Sequence, residues 1–347
     1  MTRILTQAIV AAPNQRETPH ILRPDSAERL RQIDATYADA WTVGIASPPA
    51  RIAVAVLEPR DYELTYEIAT KRVKNGRTWL VFPNPHWKTP TRNSKDVAKP
   101  KGTVLVVHGY TDSKEEMIAW ALGLAQGGYR VVLVDLRGHG RSTGNWIGYG
   151  AFEVSDLVQV VDSVAQRGHL QPPLGVFGIS YGASVSLEYA ARDPRVSSVV
   201  ALAPFSDPRQ AIVDFAHAVV PAYVKHWTAK DFSRAEDRAA EKAHFSWSQI
   251  DVLADVARLR APVLYVCTAN DHWVPLRNVE ALAANTSSLH AIAPMTLTGS
   301  PGIEPHVLLS WMVDPILKPM LQWFDATLHY TGPELRERLQ KLATVRY

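Results

Sequence analysis

The spacing of apolar positions changes along this chain, and the change predicts its architecture. From residue 103 onward, short β-branched runs alternate with stretches whose apolar residues recur every three or four positions. The runs cover residues 103–107, 130–134, 174–179, 196–202, 263–267 and 291–298. The stretches between them, 114–126, 151–166, 181–192 and 274–284, read as helices. Val154, Leu157, Val158 and Val161 mark one face of the second. A last helix is expected over 306–328, kinked or split by Pro315 and Pro319. Such alternation predicts a mostly parallel central sheet flanked by helices, an α/β fold.

The alternation breaks at residues 203–260. That stretch is helix-like and rich in aromatics, including Phe215, Tyr223, Trp227, Phe232, Phe245 and Trp247. It reads as a cap inserted between two parts of the α/β core, 61–202 and 261–330. The aromatics are expected either to line an acyl pocket or to form the cap's own small core.

Before the alternation lies a leader, residues 1–60. Leu30, Ile33, Tyr37 and Trp41, with Pro24 ahead of them, predict an amphipathic helix over 25–41. It would pack on the main domain or meet a second copy of the chain. Residues 62–82 read as a hairpin: Leu64, Tyr66 and Ile68 alternate with polar residues, and Asn75-Gly76 supplies the turn. Residues 83–102 read as a polar loop and 331–347 as a tail.

Composition narrows the function. The 347 residues are 46% hydrophobic and 20% charged, enough for a core of ordinary size. A net charge of +3 without a clustered basic run gives no reason to expect a nucleic-acid partner. No stretch reaches the roughly 18–20 apolar residues of a membrane span. The mildly apolar residues 1–12 are short for a signal segment, so a cytoplasmic location is expected. The single cysteine, Cys267, lies in an apolar run and reads as a core residue. The histidines lack metal-site spacing, and no Walker sequence accompanies Gly138, Gly140 and Gly144, so no metal or cofactor is expected.

The candidate chemistry centres on Gly178-Ile179-Ser180-Tyr181-Gly182, where an apolar run ends and a helix begins. A serine there occupies a sharp turn, relieved by glycines two residues before and after, above the carboxyl ends of the strands. Its hydroxyl needs a base. His306 follows the last run and is the candidate; His290 precedes that run, and His329 lies at the far end of the following helix. The base needs an acid to fix its tautomer. Asp271, after the run ending at Cys267, is preferred over Asp207, which reads as a helix cap. The oxyanion is expected to bind the backbone N–H groups of Tyr181 and Tyr110, the latter in His108-Gly109-Tyr110-Thr111-Asp112. The Tyr110 phenol is a second possible donor. His108 and His139 read as braces for their loops.

These segments, together with Asp135-Leu136-Arg137-Gly138-His139-Gly140-Arg141-Ser142 and Val274-Pro275, resemble the α/β-hydrolase superfamily. The match is to its branch of monoglyceride lipases and serine aminopeptidases and covers residues 100–330. The resemblance implies an α/β-hydrolase fold with a helical cap, and an esterase-like serine hydrolase acting on a small-molecule ester. Three outcomes stay open: ester hydrolysis, an amidase or aminopeptidase that uses Asp231, Glu236 or Asp237 of the cap to hold an amine, and an inactive binding protein on the same fold. A homo-oligomer is compatible with each.

Overall fold

The structure, a computed structural model, describes residues 2–15, 27–72, 79–88, 99–296 and 304–343. Its strands are β1 (Asp39–Ile45), β2 (Ala50–Leu57), β3 (Glu63–Arg72), β4 (Trp79–Lys88), β5 (Thr103–Val107), β6 (Arg130–Val134), β7 (Leu174–Ile179), β8 (Val196–Leu202), β9 (Val263–Cys267) and β10 (His290–Pro294). Eight of them form one sheet in the order β1-β2-β6-β5-β7-β8-β9-β10. From β6 to β10 every pairing is parallel, while β1–β2 and β2–β6 are antiparallel.

Strands β5, β7 and β9 are buried along their whole length. Helices cover both of their faces, which is why their sequences read as continuous apolar runs. Edge strand β1 instead alternates half-buried and exposed residues. Trp120 on helix Ile118–Gln126 packs against Phe177 of β7 with ring centroids 5.0 Å apart. Its indole N–H donates to the Ser310 carbonyl at 3.1 Å, fixing helix Pro305–Trp311 against the core.

Several expectations need correction. The leader is not a separate piece, because residues 39–57 supply two strands of the main sheet. The helix expected over 25–41 runs only from Ala27 to Thr36, and Trp41 lies in β1. Its indole N–H donates to Ser163 Oγ at 3.0 Å, so the aromatic that completed a helical period serves a sheet edge. The hairpin exists as β3 and β4, but β4 runs on to Lys88 through Pro83 and Pro85, where a loop was expected. A two-stranded ribbon has only edges, so a missing N–H is tolerated there. The expected turn at Asn75-Gly76 lies outside the described residues. Helix 114–126 starts at Ile118. The terminal helix splits at Met312, ahead of Pro315, with Pro319 inside its second part, Val313–His329. The tail contains helix Gly332–Ala343.

Residues 203–260 are helical: Pro208–Val219, Pro221–Val224, Ala229–Ala243 and Val252–Arg258, with a short 3-10 turn at Trp247–Gln249. Helix Thr2–Val10 lies against helix Ala229–Ala243. The last residue of helix Thr2–Val10 and those after it run along the core: Ile147 N–H donates to Val10 O at 2.9 Å and Ala12 N–H to Asn145 O at 3.1 Å. The N-terminus thus stitches cap to core. No described helix is long and apolar enough to cross a membrane.

Candidate active site

Parallel strands put their carboxyl ends at one edge of the sheet, and the loops leaving β5, β7 and β9 meet there. Ser180 directly follows β7 with φ +52° and ψ −115°, a strained backbone held by its N–H to Leu202 O at 2.7 Å. The flanking glycines have no room for a side chain. A Cβ on Gly182 would lie 2.3 Å from His108 O, and one on Gly178 2.4 Å from Gly182 O. The elbow therefore packs directly on the loop that follows β5.

Asp271 and His306 meet. His306 Nδ1 stands 2.7 Å from Asp271 Oδ2, and both residues are buried. The other carboxylate oxygen accepts from Trp273 N at 2.9 Å and Val274 N at 2.7 Å. Three donors thus hold the carboxylate in place. The pairing assigns the proton to Nδ1 and leaves Nε2 as the acceptor. Among the described residues no hydrogen bond joins Ser180 to His306. What connects their surroundings is a series of ring contacts: His306–Trp273 at 5.2 Å, Trp273–Phe215 at 5.1 Å, Phe215–Tyr110 at 6.0 Å and Tyr110–Tyr181 at 6.4 Å.

The bracing histidines are placed as their loops require. His108 Nε2 accepts from Leu136 N–H at 2.9 Å, and Nδ1 faces Gly109 O at 2.8 Å. Burial lowers its pKa to about 4, so the ring stays neutral. His139 Nδ1 faces Arg137 O at 2.9 Å. The rest of that motif braces too. Asp135 accepts from the backbone of Lys114 and Arg141 and pairs with the Lys114 ammonium at 2.9 Å. Asp207 caps helix Pro208–Val219 by accepting from Arg209 N at 2.8 Å. The phenols of Tyr110 and Tyr181 are engaged elsewhere, the first donating to Ala8 O at 3.3 Å and the second accepting from Tyr149 N at 2.9 Å. Neither phenol points at a reacting group, so only the amides of these residues remain as oxyanion candidates. Cys267 is a buried free thiol at the end of β9, and burial pushes it up to about 11.

The aromatics of residues 203–260 differ in what they pack against. Phe215 reaches the loops of Tyr110 and Trp273. Trp227 and Phe232 pack on each other at 5.2 Å as part of the cap's own core. Phe245 and Trp247 pack on Phe152 and Tyr149 of the main domain. The cap acids are taken up as well. Asp231 forms a capping box with Thr228, while Glu236 and Asp237 both pair with Arg209, at 2.6 and 3.0 Å.

Sequence reasoning missed four residues beside the candidate site. Trp273 lies beside His306, and only its adjacency to Asp271 hinted at this. The His272 amide donates to Glu304 Oε1 at 3.0 Å, clasping the β9 loop to the start of the helix that carries His306; nothing in the sequence pointed to that pair. Asp112 lies in the loop assigned to the oxyanion and had been given no role.

A family model described as serine aminopeptidase, S33, matches residues 98–254, a segment that includes Ser180 and most of residues 203–260 but not Asp271 or His306. The uncharacterized protein YqkD of Bacillus subtilis is 26% identical over 52% of this chain, and the match spans 58% of its own length, a little over half of that relative. Among solved structures, the Pyrococcus furiosus esterase Pf2001 superposes with a TM-score of 0.55 at 15% identity, covering 88% of this chain and 96% of that one. A 2,6-dihydroxy-pseudo-oxynicotine hydrolase superposes at 0.57 with 16% identity, covering 87% and 71%. At such identities the structural likeness shows the fold, and that fold is the α/β-hydrolase fold.

Proposed function

We propose that this chain, an α/β hydrolase similar to the serine aminopeptidase S33 family, is a serine hydrolase that cleaves a small-molecule carboxylic ester through an acyl-enzyme. Ser180 Oγ attacks the ester carbonyl carbon while His306 Nε2 takes its proton. Asp271 holds the imidazole in the required tautomer and stabilises the imidazolium. The amides of Tyr110 and Tyr181 receive the oxyanion. Collapse of the tetrahedral intermediate breaks the C–O bond, and His306 returns its proton to the departing alcohol. Water, deprotonated by His306, then attacks the acyl-enzyme carbonyl, and collapse of the second intermediate breaks the bond to Ser180 Oγ, which takes the proton back from His306 as the acid leaves. The mechanism requires the Ser180 hydroxyl to reach Nε2 once substrate is bound, a bond that commonly tightens only in the complex.

The single observation that carries this reading is the buried 2.7 Å contact between His306 and Asp271, at the same sheet edge as the strained serine turn. An aminopeptidase reading has less support, because the three cap acids suited to hold an amine are committed to Thr228 and Arg209. A fluorophosphonate probe is expected to label the wild-type protein and to spare Ser180→Ala. Equal labelling of both would remove the assignment. Parallel assays on nitrophenyl esters and amino-acid nitroanilides are expected to favour the esters.

A further inference from the structure

The loop from His108 to Asp112 carries a carboxyl that the mechanism above does not use. Its last four residues form a tight turn in which the Asp112 amide donates to Gly109 O at 3.3 Å. The third residue of that turn, Thr111, sits at φ +68°. Turns with this backbone favour glycine there, and a β-branched residue is strained. The turn folds the Asp112 side chain back over Gly109. Its Oδ2 stands 2.7 Å from the point a Gly109 Cβ would occupy, and Ile179 O lies 3.6 Å from the same point. The carboxyl is therefore wedged between the loop that presents the Tyr110 amide and the strand end that carries Ser180. The residue as a whole is half-buried.

No cation neutralises it among the described residues. Lys114, two positions on, is taken up by Asp135 and Glu115. From the helix opposite, His306 is the group whose charge acts on it. On its own loop, His108 is neutral and bonded to Leu136 N, and the Tyr110 phenol is bonded to Ala8 O. From the elbow, the Tyr181 phenol is bonded to Tyr149 N. Burial raises the Asp112 carboxyl to about 7, against the opposing pull of His306 and the Gly109 amide. An anion at this place would stand beside a developing oxyanion and disfavour it, whereas a neutral acid adds a donor.

Resting on the Ser180 reading, we propose that Asp112 is a further catalytic residue of this site, a carboxylic acid that keeps its proton and donates a hydrogen bond toward the substrate's reacting carbonyl. Loss of that proton switches the reaction off. Asp112 neither gains nor loses a proton in the cycle, so the balance of the ester cleavage is unchanged.

The test compares pH profiles of kcat/KM for a neutral nitrophenyl ester. The wild-type profile is expected to fall at least tenfold between its maximum and about pH 9. Asp112→Asn carries an amide donor that does not titrate. It is expected to be slower at about pH 6 but to lose the falling limb, raising the ratio of activity at the higher pH to that at the lower by about tenfold. A wild-type alkaline plateau, or an Asn variant that keeps the falling limb, would overturn the proposal. A second readout needs no turnover. In the Ser180→Ala background, the infrared difference between Asp112 and Asp112→Asn proteins should show a protonated carboxyl band at about pH 6 that disappears at about pH 9. Absence of the band at the lower pH also overturns it. Failure of the underlying reading shows separately, as absent fluorophosphonate labelling at Ser180, and takes this proposal with it.

Discussion

The rim of the sheet and the cap above it are held in place by different means. At the rim, Gly182 admits no side chain against His108 O, the Asp271 carboxylate is fixed by two backbone amides and an imidazole, and His108 ties its loop to Leu136. These are short directed contacts among buried groups, and each leaves little room for an alternative position. The cap rests on apolar ring contacts, on the Arg209 pairs, and on helix Thr2–Val10 packed against helix Ala229–Ala243. The Arg209–Glu236 pair is itself short and its acid buried, while the ring contacts are less directional than the hydrogen bonds of the rim. The contrast is between directed hydrogen bonds at the rim and mostly ring packing in residues 203–260.

The sharpest way to break this comparison is at Asp271. Asp271→Asn leaves the shape intact but favours the wrong imidazole tautomer, and kcat is expected to fall about 10^4-fold with the unfolding midpoint little changed. A loss below about tenfold in steady-state assays would mean that the rim does not set the chemistry.

The pH dependence of stability probes the rim a second way. His108 is fully buried, and its folded-state pKa is lowered to about 4 by burial. The unfolded chain then binds more protons than the folded one between the ordinary histidine value and that lowered value. Stability from His108 is present above about pH 6.5 and is lost as pH falls through this window, by up to about 3 kcal/mol. Urea unfolding at about pH 7 and about pH 4.5 should show the loss, and His108→Gln should flatten it. An unchanged slope in the variant would assign the effect to other groups.

The smallest effect is expected in the cap. Phe215→Ala removes the cap ring that touches the loops of Tyr110 and Trp273. KM for a long-chain ester is expected to rise about tenfold, with kcat within about twofold. A large fall in kcat with KM unchanged would show that the cap takes part in the chemistry and would dissolve the contrast between the two regions.

The alternation of apolar runs and helical stretches determined the parallel part of the sheet, because strands buried on both faces leave unbroken β-branched segments. The Gly-x-Ser-x-Gly turn and the positions of Asp271 and His306 after the last two strands were legible for a similar reason: strand ends are local, and so are the residues that follow them. Asp207 was legible as a cap because capping is local too. Tertiary structure alone decided the rest. Trp41 fits a helical period yet lies in β1, since its indole finds Ser163 on a distant helix. Phe215 and Trp227 look alike in sequence, but only one reaches the rim. Asp112 became a candidate only when the strained turn at Thr111 brought its carboxyl back over Gly109, near His306. Local backbone preference and burial period are written residue by residue, whereas which distant groups meet depends on the packing of the whole chain.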